Sequence, residues 1–324
     1  MPMQYGNIPG VEKPVSRIVQ GTVMINSAED DGQFALLDGI FQRGCNTFDT
    51  AHVYGGGRNE RAVGRWVRDR SLRDRVVIIA KGAHHNADRR RVTPFDITSD
   101  LHDSLARLGF EYIDLYLLHR DDPTQPVEGI VDVLNEHLAA GRIHAFGASN
   151  WTHKRIAEAN AYARQNGLTG FVASSPNFSL AQQNAEPWEG CVSISGPSQA
   201  DARKWYQSAQ MPLMSWSSLA GGFFAGQTRN DTLEAFQQSL DGMVRTSYAS
   251  EENFRRLKRA ETLADEKGLT VAQIAAAWVL CSPMNTLPMF GPRSLEEFDQ
   301  NLAALDVVLS DAERDWLDLR SDQR

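Results

Sequence analysis

The chain has 324 residues, 42% of them hydrophobic and 23% charged, with a formal net charge of −8. That balance fits an ordinary globular protein with a sizeable core and argues against nucleic acid or an anionic membrane surface as partner. No apolar run approaches the roughly 18 residues of a membrane span, Met1 to Gly10 has no signal-peptide pattern, and Cys45, Cys191 and Cys281 form neither a disulfide framework nor a zinc spacing, so a reduced, cytoplasmic protein is expected.

Short β-branched runs alternate with stretches of helical periodicity. Strands are predicted at 17–21, 47–49, 76–81, 113–118, 143–147, 171–174, 213–215 and 285–288. Helices are predicted near 30–43, 59–69, 98–108, 127–140, 152–165, 199–209 and 254–281, the last broken at Gly268. Eight βα units imply a closed (β/α)8 TIM barrel forming one domain over 1–324. An open doubly wound sheet would place a glycine-rich turn after its first strand, and Gly21-Thr22-Val23-Met24 is no such turn. The segments 175–198 and 217–253, after strands 6 and 7, are too long for simple connections and read as binding loops at the barrel mouth. The second begins Ser217-Ser218-Leu219-Ala220-Gly221-Gly222, the start of a segment expected to close over a ligand, with a permanently docked helix as the alternative that the helical periodicity of Thr232-Leu240 leaves open.

Three strand ends carry ionisable residues. Phe48-Asp49-Thr50-Ala51-His52-Val53-Tyr54-Gly55 leaves strand 2, Val77-Ile78-Ile79-Ala80-Lys81 ends strand 3, and Asp114-Leu115-Tyr116-Leu117-Leu118-His119 ends strand 4. In a parallel barrel these ends converge on one mouth. A phenol alone is too weak an acid at neutral pH, and an adjacent ammonium held by a carboxylate lowers its pKa. Asp49 and Lys81 could instead be a structural ion pair, but buried pairs stabilise poorly compared with apolar packing. In this order and context, Asp49, Tyr54, Lys81 and His119 resemble the catalytic tetrad of the aldo-keto reductase family, and the resemblance extends over nearly the whole chain.

The resemblance implies further residues. Ser149 and Asn150, after strand 5, match the pair that holds the nicotinamide carboxamide, although either also serves as a helix cap. Ser175 stands where the family usually has a glutamine. Trp216 aligns with the aromatic that stacks on the nicotinamide, and Ser217, Leu219 and Gly221 with the pyrophosphate clamp. Gly291, Arg293 and Ser294 match the segment that holds the adenosine 2′-phosphate at a helix start, with Asn301 near the adenine. Glu297 falls where many family members carry a basic or amide residue, and Ser294-x-x-Glu297 also reads as a capping box. His52, His84 and Arg120 are expected to line the substrate pocket, and His85 beside them; adjacent histidines do not suggest a metal.

The resemblance thus implies an NADP(H)-dependent reductase, NAD(H) being possible, acting on a small carbonyl or alcohol, with Tyr54 as proton donor. A monomer is the default, with an oligomer left open. The alternative is a cofactor-holding regulatory subunit with little turnover. A glycoside hydrolase would need paired acids at late strand ends, where Ser215 and Pro288 stand instead.

Overall fold

A computed structural model describes residues 2–225 and 232–324. A short antiparallel hairpin, β1 (Tyr5–Gly6) and β2 (Val15–Ser16), precedes the main sheet. Then come β3 (Val19–Gly21), α1 (Asp31–Gln42), β4 (Thr47–Asp49), α2 (Arg58–Asp69), β5 (Val77–Gly82), α3 (Pro94–Leu108), β6 (Ile113–Leu118), α4 (Val127–Ala139), β7 (Ile143–Ser149), α5 (His153–Gln165) and β8 (Ser174–Ser175). The chain continues through α6 (Ala200–Ala209), α7 (Leu233–Ser239), α8 (Gly242–Tyr248), α9 (Glu251–Lys267), α10 (Val271–Leu280), β9 (Met289–Phe290), α11 (Leu295–Ala303) and α12 (Asp311–Leu317).

The parallel strands run in the order β8-β7-β6-β5-β4-β3-β9. Leu213 closes the ring, pairing in parallel with Ser174 on one side and Thr286 on the other. The fold is the expected (β/α)8 barrel. The seventh predicted strand is reduced to this pairing, because Pro212 brings no N–H and Ser217 turns the chain with φ 50°. The eighth regular strand starts at Met289 rather than within 285–288, since Pro288 cannot donate to a ladder.

Strand burial explains the layers. Every residue of β5 and β6 is buried, as expected for strands covered on both faces. Val77, Ile79, Leu115 and Leu117 point into the barrel, where they join Ala145, Ala173 and Met214. Ile78, Ala80, Tyr116 and Leu118 face outward and pack against the helices. The hairpin, absent from the sequence reading, adds Ile8, Val11 and Val15 to the interior cluster. Lys13, between its strands, donates to Asp114 at 2.7 Å and to the Val76 carbonyl at 2.8 Å, which fixes it at the N-terminal ends of β5 and β6.

Two helix limits follow from local chemistry. Thr93 caps α3, and Pro94 occupies its first turn, where no N–H is needed. Gly268, at φ 65°, ends α9 and separates it from α10, the predicted break. In the segment 217–253, residues 226–231 lie outside the described residues, and the remainder contains α7, where the docked-helix alternative places it, and α8. Phe223, Phe224, Phe236, Val244 and Tyr248 are buried in a second apolar cluster with Phe254 and Leu257. Such anchors dock the described part of this segment onto the barrel without any ligand.

Candidate active site

The period of two along a strand assembles the site. Lys81 continues the inward series of Val77 and Ile79, and His119 continues that of Leu115 and Leu117. Asp49 faces inward opposite the outward Phe48, and Ser149, Ser175 and Trp216 extend the series of Ala145, Ala173 and Met214. Tyr54 comes from the loop after β4, on a tight turn in which Gly55, Gly56 and Gly57 take φ of 57°, 64° and 87°. Side chains other than glycine adopt that conformation only at a cost, so this turn requires the glycine run.

All four proposed tetrad residues line one cavity of about 1390 Å³ at the C-terminal mouth of the barrel. Lys81 Nζ donates to the Asp49 carboxylate at 2.5 Å and to the Thr50 carbonyl at 3.2 Å. It stands 5.2 Å from the centre of the Tyr54 ring. The Tyr54 and His119 rings meet edge to face at 5.7 Å. Asp49, Lys81 and His119 are buried and Tyr54 is half-buried.

Burial raises the Tyr54 phenol above its ordinary value of 10, and the Lys81 ammonium pulls it back down. The acidifying influence expected of Lys81 is therefore present but outweighed by the dry surroundings. Burial likewise raises Asp49, against the pull of Lys81. Burial lowers Lys81, but Asp49 and Tyr54 more than offset it and hold the ammonium charged. His119 lies well below its ordinary 6.5, through burial and then the nearby charges of Lys81 and Arg120, so it is neutral. Its Nδ1 has no hydrogen-bond partner.

The expected cofactor-side residues Ser149, Asn150, Ser175, Trp216, Ser217, Leu219, Gly221, Gly291, Arg293, Ser294 and Asn301 all line the same cavity. Asn150, at φ 58°, is fully engaged within the protein. Its Nδ2 donates to the His119 carbonyl at 3.2 Å and to Ser149 Oγ at 3.1 Å. Its Oδ1 accepts from Val192 N and Trp216 Nε1, both at 3.1 Å. Ser149 Oγ donates to the Ser175 carbonyl at 2.8 Å. Ser175 Oγ, by contrast, is buried with no partner. An unsatisfied buried hydroxyl on a cavity wall suits a polar ligand group such as a carboxamide.

At the other end, Ser294 caps α11 and Arg293 is exposed. Glu297 accepts from the Arg293 backbone N–H at 2.7 Å. Glu297 thus turns back onto the backbone as expected, but onto Arg293, one residue before the cap, so the reciprocal capping box is not closed. The chain here offers free N–H groups, one guanidinium and the buried Asn301, a set compatible with a phosphorylated adenosine. His84 and Arg120 also line the cavity. His52 does not: its Nε2 lies 3.2 Å from Asp103 on α3, so the pocket role expected of it is unsupported by its position. His85 is likewise outside the lining, with its carbonyl beside His84 Nδ1 at 2.8 Å.

Sequence reasoning missed a backbone feature. Ala83, Asn150, Ser217 and Ala220, all just past barrel strands, have φ between 50° and 60°. Non-glycine residues hold such angles only where the surroundings impose them. The turns at the mouth are thus rigidly shaped, and no composition signal marks them.

The family model described as Aldo/keto reductase family matches residues 17–318. The uncharacterized oxidoreductase YrpG of Bacillus subtilis is 25% identical over 320 residues, 95% of this chain and 92% of that protein. A probable voltage-gated potassium channel subunit beta of Oryza sativa subsp. japonica is 26% identical, covering 94% of this chain and 92% of that one. Among solved structures, an aldo-keto reductase from Klebsiella pneumoniae in complex with NADPH superposes with a TM-score of 0.71 at 26% identity, over 99% of this chain and 95% of that one.

Proposed function

The chain belongs to the aldo/keto reductase family, and from that premise we propose that it transfers hydride between NADP(H) and a carbonyl/alcohol pair, with Tyr54 as the proton donor. One observation carries the reading. Tyr54, Lys81 and His119 face a single cavity, and Lys81 is anchored on Asp49 at 2.5 Å. Bound NADP(H) supplies or accepts the hydride, and that redox chemistry is the cofactor's own. Tyr54 protonates the carbonyl oxygen as it gains charge, and the Lys81 ammonium steadies the phenolate left behind. Asp49 fixes Lys81. Neutral His119, with a ring nitrogen unspent, orients the carbonyl. Trp216 forms the wall for the nicotinamide, and Ser175 with Ser149 meets its carboxamide, Asn150 acting through the position of Trp216. Arg293 and the start of α11 take the 2′-phosphate.

Mixing the purified protein with NADPH and a panel of aldehydes and ketones, while following the reduced-nicotinamide absorbance, tests this. Turnover supports the reading. Binding of NADPH without turnover of any carbonyl would favour a cofactor-holding subunit instead, the reading for which the rice relative's name gives a motive.

A further inference from the structure

Among the described residues lining the cavity, Arg120 is the guanidinium that the chemistry above leaves unused. It follows His119 directly, is 6% exposed, and faces the cavity. All its hydrogen-bond partners are neutral. Nε donates to the Glu189 carbonyl at 3.0 Å, one terminal nitrogen to the His119 carbonyl at 2.9 Å, and the other to Cys191 Sγ at 3.7 Å. Among the described residues no carboxylate forms an ion pair with it. Glu186 and Glu189 act on it only through space, and both are exposed to solvent.

The other cations of the cavity are accounted for. Lys81 is neutralised by Asp49, and Arg293 stands exposed beside Ser294. His119 is neutral, and burial lowers His84 to about 4. One uncompensated positive charge therefore remains at the Tyr54 end. Burying a cation without a counter-charge is costly, and a bound anion relieves the cost. Three N–H groups of Arg120 are used within the protein, and the others are free for a carboxylate.

The same cavity has an apolar rim. Val23, Met24, Val53 and Trp188 are 53%, 47%, 40% and 52% exposed, and all line it. Exposed apolar side chains gathered at one mouth mark a contact surface for an apolar ligand body. We infer that the site selects carbonyl compounds with an apolar body and a carboxylate, the carboxylate bound by Arg120, over neutral carbonyls of the same size. This rests on the reductase reading.

The test compares 4-carboxybenzaldehyde with methyl 4-formylbenzoate, its neutral ester, using NADPH. The wild-type protein should favour the acid in kcat/KM. Arg120→Met should lower the acid's kcat/KM by about 30-fold, mainly through KM, in line with the loss of a charged hydrogen bond. Its loss on the acid should exceed its loss on the ester at least about tenfold, and Arg120→Lys should restore part of the gap. Because Arg120 also holds the 189–191 loop, a purely structural role would reduce both substrates equally, and that result overturns the inference. A wild-type protein indifferent to acid and ester overturns it as well, even if the variant fails to fold. Calorimetric titration of 4-(hydroxymethyl)benzoate and its methyl ester into the NADPH-loaded protein needs no turnover. An acid preference there without reduction of either aldehyde would sink the reductase reading and leave the Arg120 site standing, while equal binding of acid and ester would sink the site.

Discussion

Asn150 Oδ1 accepts the indole N–H of Trp216 at 3.1 Å, so the residue that follows one barrel strand fixes the ring that follows another. With its remaining hydrogen bonds also spent inside the protein, Asn150 is part of the frame. Ser175 Oγ is the free group. Asn150→Ala should therefore cost about 2–4 kcal/mol of stability, several bonds at roughly 1 kcal/mol each. Ser175→Ala should leave the unfolding midpoint in place and weaken NADPH binding by about 1 kcal/mol. Thermal unfolding and cofactor titration of both variants check the division; a destabilised Ser175→Ala protein would contradict it.

Tyr54→Phe removes the proposed proton donor and keeps the ring against His119. Turnover should fall by about 10² or more, with NADPH affinity little changed. Steady-state rates beside a binding titration decide the matter, and near-normal rates would remove Tyr54 from the mechanism.

Lys81→Met takes away the group that lowers the Tyr54 phenol, so the pH profile of alcohol oxidation should move to higher pH as its rate drops. It also strands the buried Asp49. A carboxyl whose folded value is raised favours the folded state below its unfolded value of 3.8 and loses that support as pH rises through the folded value. The variant should thus lose about 3–5 kcal/mol near neutrality and recover part of it in mild acid. Denaturant melts across pH, with Lys81→Met/Asp49→Asn as the relieved control, read this directly.

Arg293→Ala should weaken NADPH binding by about 1.5–3 kcal/mol if the guanidinium meets the 2′-phosphate, and leave NADH binding almost unmoved. Equal losses for both dinucleotides would assign Arg293 a structural role only.

The buried anchors of α7 and α8 make a further expectation. Hydrogen exchange within 233–248 should be slow before any cofactor is added, because Phe236, Val244 and Tyr248 are already packed. Fast exchange that slows only with NADPH would restore the closing-loop picture for this segment.

Much of the site was legible because strand parity and strand ends are local properties. Once 76–81 and 113–118 are strands, Lys81 and His119 must share the inward layer. His52 escaped that logic: it lies beyond the strand, where the nearby acid of α3 decides its direction. The saturation of Asn150 depends on Val192 and Trp216, brought close only by folding. The hairpin of two-residue strands is too short for a period to show. At 217–253 the periodicity of 232–240 showed a helix but could not choose between docked and closing, because the common burial of Phe236, Val244 and Tyr248 is a tertiary fact.

That N-terminal hairpin has one further consequence. Ile8, Val11 and Val15 seal the barrel floor with hydrocarbon, and Lys13 pins the seal to the strand starts. The molecule is a cup and not a pipe: no ligand can pass through from below. Whatever binds in the cavity must therefore enter and leave on the side of the C-terminal mouth.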